Sequence, residues 1–257
     1  MNTPDRGPSS LAASLSSDDA LLPFVPKLLR DLWWLGVAPD PAIALLRRNL
    51  AGVDNPHALD FGCGKGALLI RLAEELGWSG RGIDIVPAFI EEARRIASEH
   101  GVGSCLRFDV RDMAHAVEDS APADLVCFGF DSDALGPLET ALNRMRRCLE
   151  PTTGCLLLDT AWVRQGPAHD DLATEDETLE AAHRAGYQVK DRTLLDAAWV
   201  REQNDANTER IRRRARELAR DYPAHAPAFA RYVREQEDES RLLSEQAVCA
   251  LLLFTLR

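Results

Sequence analysis

An α/β fold built on a parallel sheet is predicted for this 257-residue chain by three features. From residue 57 onward, short runs rich in branched aliphatics alternate with amphipathic helical patterns. A glycine-rich turn joins the first such run to the first such helix. The composition, 28% charged and 46% hydrophobic, is that of an ordinary globular protein. Strand–helix alternation places helices on both faces of a parallel sheet. The length suffices for one sizeable core, or for a core with a cap.

Taken in order, residues 1–18 are rich in Ser, Pro, Asp and Gly, and a disordered tail is expected there. Apolar residues at helical spacing predict helices over 20–35 and 40–51. The segments HALDF, GRGIDIV, CLRFDV, ADLVCFG and GCLLLDTAW read as five strands separated by helices. A helix over 174–185 should stop at Gly186, and YQVKDRTLL reads as a sixth strand. The stretch 196–243 is charged and helical by pattern, and AVCALLLFTLR reads as a last, buried strand. One domain over 19–257 is therefore expected: an N-terminal helical cap (19–54), a ligand-binding core (55–195), a helical insert (196–243) and the last strand (244–257).

Charge and composition exclude several functions. A net charge of −11 disfavours nucleic acid, which needs a clustered positive field. The arginine-rich ERIRRRARELAR (209–220) is interleaved with acids and reads as a solvated helix. No apolar run approaches the ~20 residues needed to span a bilayer. The first residues lack the basic-then-apolar pattern of a signal peptide, so a cytoplasmic protein is expected. The six cysteines show no CxxC or HxxxH spacing, so neither a metal site nor a disulfide framework is expected.

The stretch LDFGCGKG carries the chemistry. A strand ending at Phe61, a turn through Gly62, Cys63, Gly64 and Gly66, and a following helix should gather free backbone N–H groups at a helix N-terminus. Leu59 stands where a Walker loop needs its first glycine. The spacing GxGxG also fits a dinucleotide loop, GxGxxG, poorly. Asp84 ends the next strand, twenty residues after Gly64, where a carboxylate can accept from vicinal ribose hydroxyls. Its competing role is to cap the helix that begins at Pro87. Asp112 follows the third strand, where it can accept from an exocyclic amine while the Met113 N–H donates to a ring nitrogen; otherwise it is a surface turn acid. Together these residues describe an adenosine with a small zwitterion attached and no phosphate.

These residues resemble the class I S-adenosylmethionine-dependent methyltransferases. LDFGCGKG is similar to that family's first motif, GIDIVPAFIEEAR to its acidic second strand, and RDMAH to its adenine motif. The resemblance is good over 55–163 and looser beyond. It implies a Rossmann-like, doubly wound sheet of seven mostly parallel strands with an antiparallel last strand, the N-terminal helices and the helical insert acting as a cap. It also implies S-adenosyl-L-methionine as cofactor, S-adenosyl-L-homocysteine as product, and a small-molecule acceptor. Asp60, Gly62, Cys63 and Gly64 should then hold the methionine end and Asp84 the ribose. Ile85 should pack on the adenine, Asp112 and Met113 should read its edge, and Phe128 and Gly129 should line the methyl-donor centre.

No acceptor signature follows the fourth strand, where the chain reads GFDSDALG. If the acceptor must lose a proton, base candidates sit at the carboxyl ends of strands: Asp131 and Asp133 after strand four, Asp159 and Trp162 after strand five, and His115. Phe24, Trp33, Trp34 and Trp199 can wall an acceptor pocket between the 20–35 helix and the insert, although adjacent Trp33 and Trp34 cannot both face it from one helix. Two other functions stay open: a non-catalytic protein that binds the adenosyl ligand to regulate an interaction, and a nicotinamide oxidoreductase.

Overall fold

The computed structural model describes residues 21–50, 52–129, 133–168 and 172–257, so the tail expected over 1–18 lies outside the described residues. Seven strands form one sheet: β1 (His57–Phe61), β2 (Ser79–Asp84), β3 (Leu106–Val110), β4 (Leu125–Gly129), β5 (Cys155–Val163), β6 (Tyr187–Leu194) and β7 (Ala247–Leu256). Their order is β3-β2-β1-β4-β5-β7-β6. The first five strands are parallel, and β7 runs antiparallel between β5 and β6. The expected sheet is thus borne out, including its antiparallel last strand.

Local signals start and stop the helices between strands. α3 (Ala67–Leu76) ends at Gly77 in the left-handed conformation. α4 (Pro87–Glu99) opens with proline in its first turn. α7 (Glu175–Arg184) opens with a reciprocal capping box between Thr174 and Glu177. The pleat of β4 then sorts the core into two faces. Leu125 and Cys127 pack with α2 (Pro39–Leu50), α3 and α4. Val126 and Phe128 pack with α5 (Met113–Asp119), α6 (Leu138–Met145) and α7.

A third apolar cluster lies off the sheet. Leu21, Phe24, Leu28 and Leu32 meet Ile211, Ala215 and Leu218 of α8 (Ala197–Asp221) and Phe229, Tyr232 and Val233 of α9 (Ala226–Arg241). The insert and the N-terminal segment therefore share one small core.

The helix expected over 20–35 is not formed. Only α1 (Val25–Leu28) is helical, and residues 29–37 follow as turns and bends. Where the helix ends, the Lys65 ammonium donates to the Leu29 and Arg30 carbonyl oxygens and fastens the segment to the glycine turn. Among the described residues, no helix is long and apolar enough to cross a membrane.

Candidate functional site

Strands β1 and β4 are neighbours, yet the helices that follow them lie on opposite faces of the sheet. Such a switch point leaves a crevice at the carboxyl ends of the strands, where ligands of open α/β sheets bind. A cleft is present there. Its floor is Asp60, Phe61 and Gly62 from the end of β1, with Gly129 from the end of β4. Ala67 and Leu68, in the first turn of α3, form one side and Met113 another, and Trp34, Leu35, Gly36 and Val37 roof it.

The glycine turn is held by its neighbour strand. Gly62 and Cys63 donate to the Ile83 carbonyl at 2.8 and 3.0 Å, Gly66 donates to Cys63, and Gly64 donates to Asp84 Oδ2 at 2.9 Å. The free N–H groups expected in the turn are thus engaged within the protein, because a turn this tight needs β2 to fix it. The first turn of α3 has no side-chain cap, so its donors are the ones left to face an anion. The glycines also differ in purpose. A Cβ on Gly66 (φ +73°) would stand 2.6 Å from the Phe108 ring, so that glycine serves helix–strand packing. A Cβ on Gly62 (φ +76°) would meet only Met113, at 3.5 Å, and the ligand space opens here.

Two acids sit beside that turn. Asp60 is 6% exposed, and burial, then the charge of Asp84, push its carboxyl up to about 7. Asp84 accepts from Gly64 N–H on one oxygen and from Val86 N–H on the other, each at 2.9 Å. Burial raises its pKa, against the lowering effect of those backbone donors. A half-buried carboxyl, a buried one and a helix N-terminus around one cleft suit a ligand that carries both cationic and anionic groups.

Residues 53–215 match the family model described as a methyltransferase domain. The chain belongs to this methyltransferase family. Aklanonic acid methyltransferase DauC of Streptomyces sp. (strain C5) is 46% identical over 61 residues, which span 21% of this chain and 28% of that relative. The uncharacterized protein YjhP of Escherichia coli (strain K12) is 32% identical over 171 residues, 62% of this chain and 68% of that protein. Among solved structures, a SAM-dependent methyltransferase from Thiobacillus denitrificans, in complex with S-adenosyl-L-homocysteine, superposes with a TM-score of 0.76 at 21% identity. That match covers 90% of this chain and 97% of the other.

In the methyltransferase, the structure brings Asp60, Gly62, Cys63, Met113 and Gly129 together in the cleft, with Gly64 and Asp84 bonded just behind. The Cys63 thiol is pushed well up by burial and by the Asp60 and Asp84 charges, so it stays protonated. Ile85 leaves a 36% exposed side chain beyond Asp84. Asp112 spends one oxygen capping α5, accepting from Ala114 N–H at 2.6 Å.

Several expectations need correction. Phe128 is a β4 residue, fully buried, and its phase of the pleat turns it into the core that packs α5 to α7. Trp162 is buried in that same core. Neither it nor Asp159 follows strand five, because β7 pairs with β5 through all nine residues to Val163. Asp159 is half-buried opposite Gly129 in the β4–β5 ladder. His115 is exposed on α5, outside the cleft lining. Asp133 opens a 3₁₀ turn, Asp133–Leu135, while Asp131 lies outside the described residues.

The aromatic wall divides in two. Phe24 packs against Tyr222, His225 and Phe229 as cap core, and Trp33 packs on the sheet core beside His100. Trp34 lines the cleft and lies nearly parallel to Trp199 of α8, centroids 6.2 Å apart and planes 9° apart. Trp34 was expected at the pocket wall, but Lys65 and residues 35–37 were missed as site elements, since nothing local to them marks a partner some thirty residues away.

Proposed function

We propose that this methyltransferase moves a methyl group in line from S-adenosyl-L-methionine to a small-molecule acceptor held between the 34–37 roof and the start of α8. The observation that carries the acceptor side is the Trp34–Trp199 pair, which joins the roof of the donor cleft to the helical insert. Two large, partly exposed indoles suit an acceptor with an apolar or aromatic face. The net charge of −11 disfavours a polyanionic one.

The residues present fit the donor. Asp60 offers a carboxyl to its cationic end, and the uncapped first turn of α3 faces its carboxylate. Asp84 retains acceptor capacity for ribose hydroxyls, since a carboxylate offers about four lone-pair sites and its backbone donors take only part of them. Exposed Ile85 can lie under the adenine, Met113 and the remaining Asp112 oxygen can meet its edge, and Gly129 leaves room at the transfer point. When bound, the donor would supply a methyl group on a sulfonium, which is a good leaving group for displacement. What the chain itself contributes is alignment and exclusion of water, and alignment alone removes a large part of such a barrier.

Calorimetry with S-adenosylmethionine, S-adenosylhomocysteine and NAD tests the donor side. Micromolar binding of the two adenosyl ligands and none of NAD is expected; the reverse ends the reading. A turnover screen over aromatic and aliphatic metabolites, with nucleic acid included, then tests the acceptor side.

A further inference from the structure

We propose that Lys65 is a positioning residue for the donor cleft: it clasps residues 29–30 onto the glycine turn, so that Trp34–Val37 closes over the bound donor. The proposal deepens the donor reading above and rests on it.

The Lys65 side chain is completely buried. Its ammonium donates to the Leu29 and Arg30 carbonyl oxygens, each at 2.9 Å, and pairs with Glu92 of α4 at 3.2 Å. An ammonium has three N–H donors, and three partners are present. Burying such a charge is costly unless every donor is met, so these contacts form an interlocked set. The neighbouring residue reports the same closeness: a Cβ on Gly64 would stand 3.2 Å from Leu35 Cδ1. On the far side of the clasp, Asp31 pairs with Arg213 and Arg214 of α8. Three consecutive residues thus tie the roof to the donor turn and to the insert, and the chain reaches the cleft lining only three residues later, at Trp34. With Lys65 removed, the roof keeps its attachment to α8 and the apolar contact of Leu35 at Gly64, but loses its polar hold on the turn that carries Gly62 and Gly64.

The test uses Lys65→Met in the full chain. It measures the S-adenosylhomocysteine dissociation rate by stopped-flow displacement and amide hydrogen exchange over residues 33–37. The expected result is dissociation about tenfold faster, the equivalent of one charge-assisted hydrogen bond lost. Exchange at 33–37 should speed up while β1 and β4 keep their protection, and donor KM should rise more than kcat falls. A folded variant with wild-type dissociation and exchange overturns the proposal. So does faster dissociation without faster exchange at 33–37, which would place the effect in the turn itself. If Lys65→Met does not fold, Glu92→Gln, which weakens the same clasp from its other end, gives the answer by the same two readouts. There an increase of about threefold in both is expected, and wild-type values overturn the proposal. A wild-type chain that binds no S-adenosylhomocysteine would end the donor reading instead, and the exchange comparison alone would then decide the clasp.

Discussion

Because Asp60 titrates at about 7 in the folded chain against an ordinary value of 3.8, the native state holds a proton there that the unfolded chain releases first. Stability from this residue is full below about pH 4 and is lost as pH rises through about 7, since the folded state binds more protons across that window. Asp60→Asn removes the buried charge. The ligand-free variant should therefore melt higher than wild type at pH 8, by on the order of 2–4 °C for each kcal/mol recovered in a domain of this size, and the difference should shrink toward pH 5. Donor binding runs the other way. A cationic ligand selects the ionised carboxylate, so wild-type affinity should rise up to about pH 7 and level off, while the Asn variant should bind weakly with a flat profile. Calorimetry and melting across pH 5–8 check both halves. At this scale, Asp60, Gly62 and Asp84 were legible because their chemistry lies in one strand–turn–helix unit and its next strand. Lys65 was not, because what makes it matter is a pair of carbonyls from the N-terminal segment.

Among the elements, the strands were easiest to read, since fully buried strands such as Leu125–Phe128 need unbroken apolar runs. The N-terminal segment was not. Its apolar spacing predicts a helix, but those residues divide between two partners, Phe24 and Leu28 facing α8 and α9 while Trp34 and Leu35 face the cleft. A straight helix cannot serve both, and the chain bends instead. In that bent segment Trp33 packs on the sheet core while Trp34 lines the cleft and stacks on Trp199. In the proposed reading, Trp199, in the first turn of α8, brings the insert to the acceptor space through its stack on Trp34. Trp199→Ala is expected to raise acceptor KM about tenfold, in line with losing an aromatic stacking contact. Donor affinity should stay within about twofold of wild type, because the cleft floor is untouched. Steady-state kinetics with a responsive acceptor, beside donor calorimetry, separates the two effects; a loss confined to donor binding would remove Trp199 from the acceptor wall.

At the level of the whole molecule, the sheet is packed on both faces and the cap adds a further, separate core, so a cover sits on the sheet clipped to it at residues 29–31. The place of β7 has a further consequence, for the order of events during synthesis. The strand is made after the long insert, yet it lies between β5 and β6 and supplies every ladder partner that β6 has. A ribosome that has delivered β6 has delivered a strand with nowhere to pair, and it stays so while more than fifty further residues emerge. Pairings this distant in sequence form slowly and leave an edge open to other chains meanwhile. Nascent chains stalled just after Glu245 should accordingly be cut by protease within Tyr187–Leu194 while β1 to β4 resist, and stalling far enough beyond Leu256 for β7 to leave the exit tunnel should close that window.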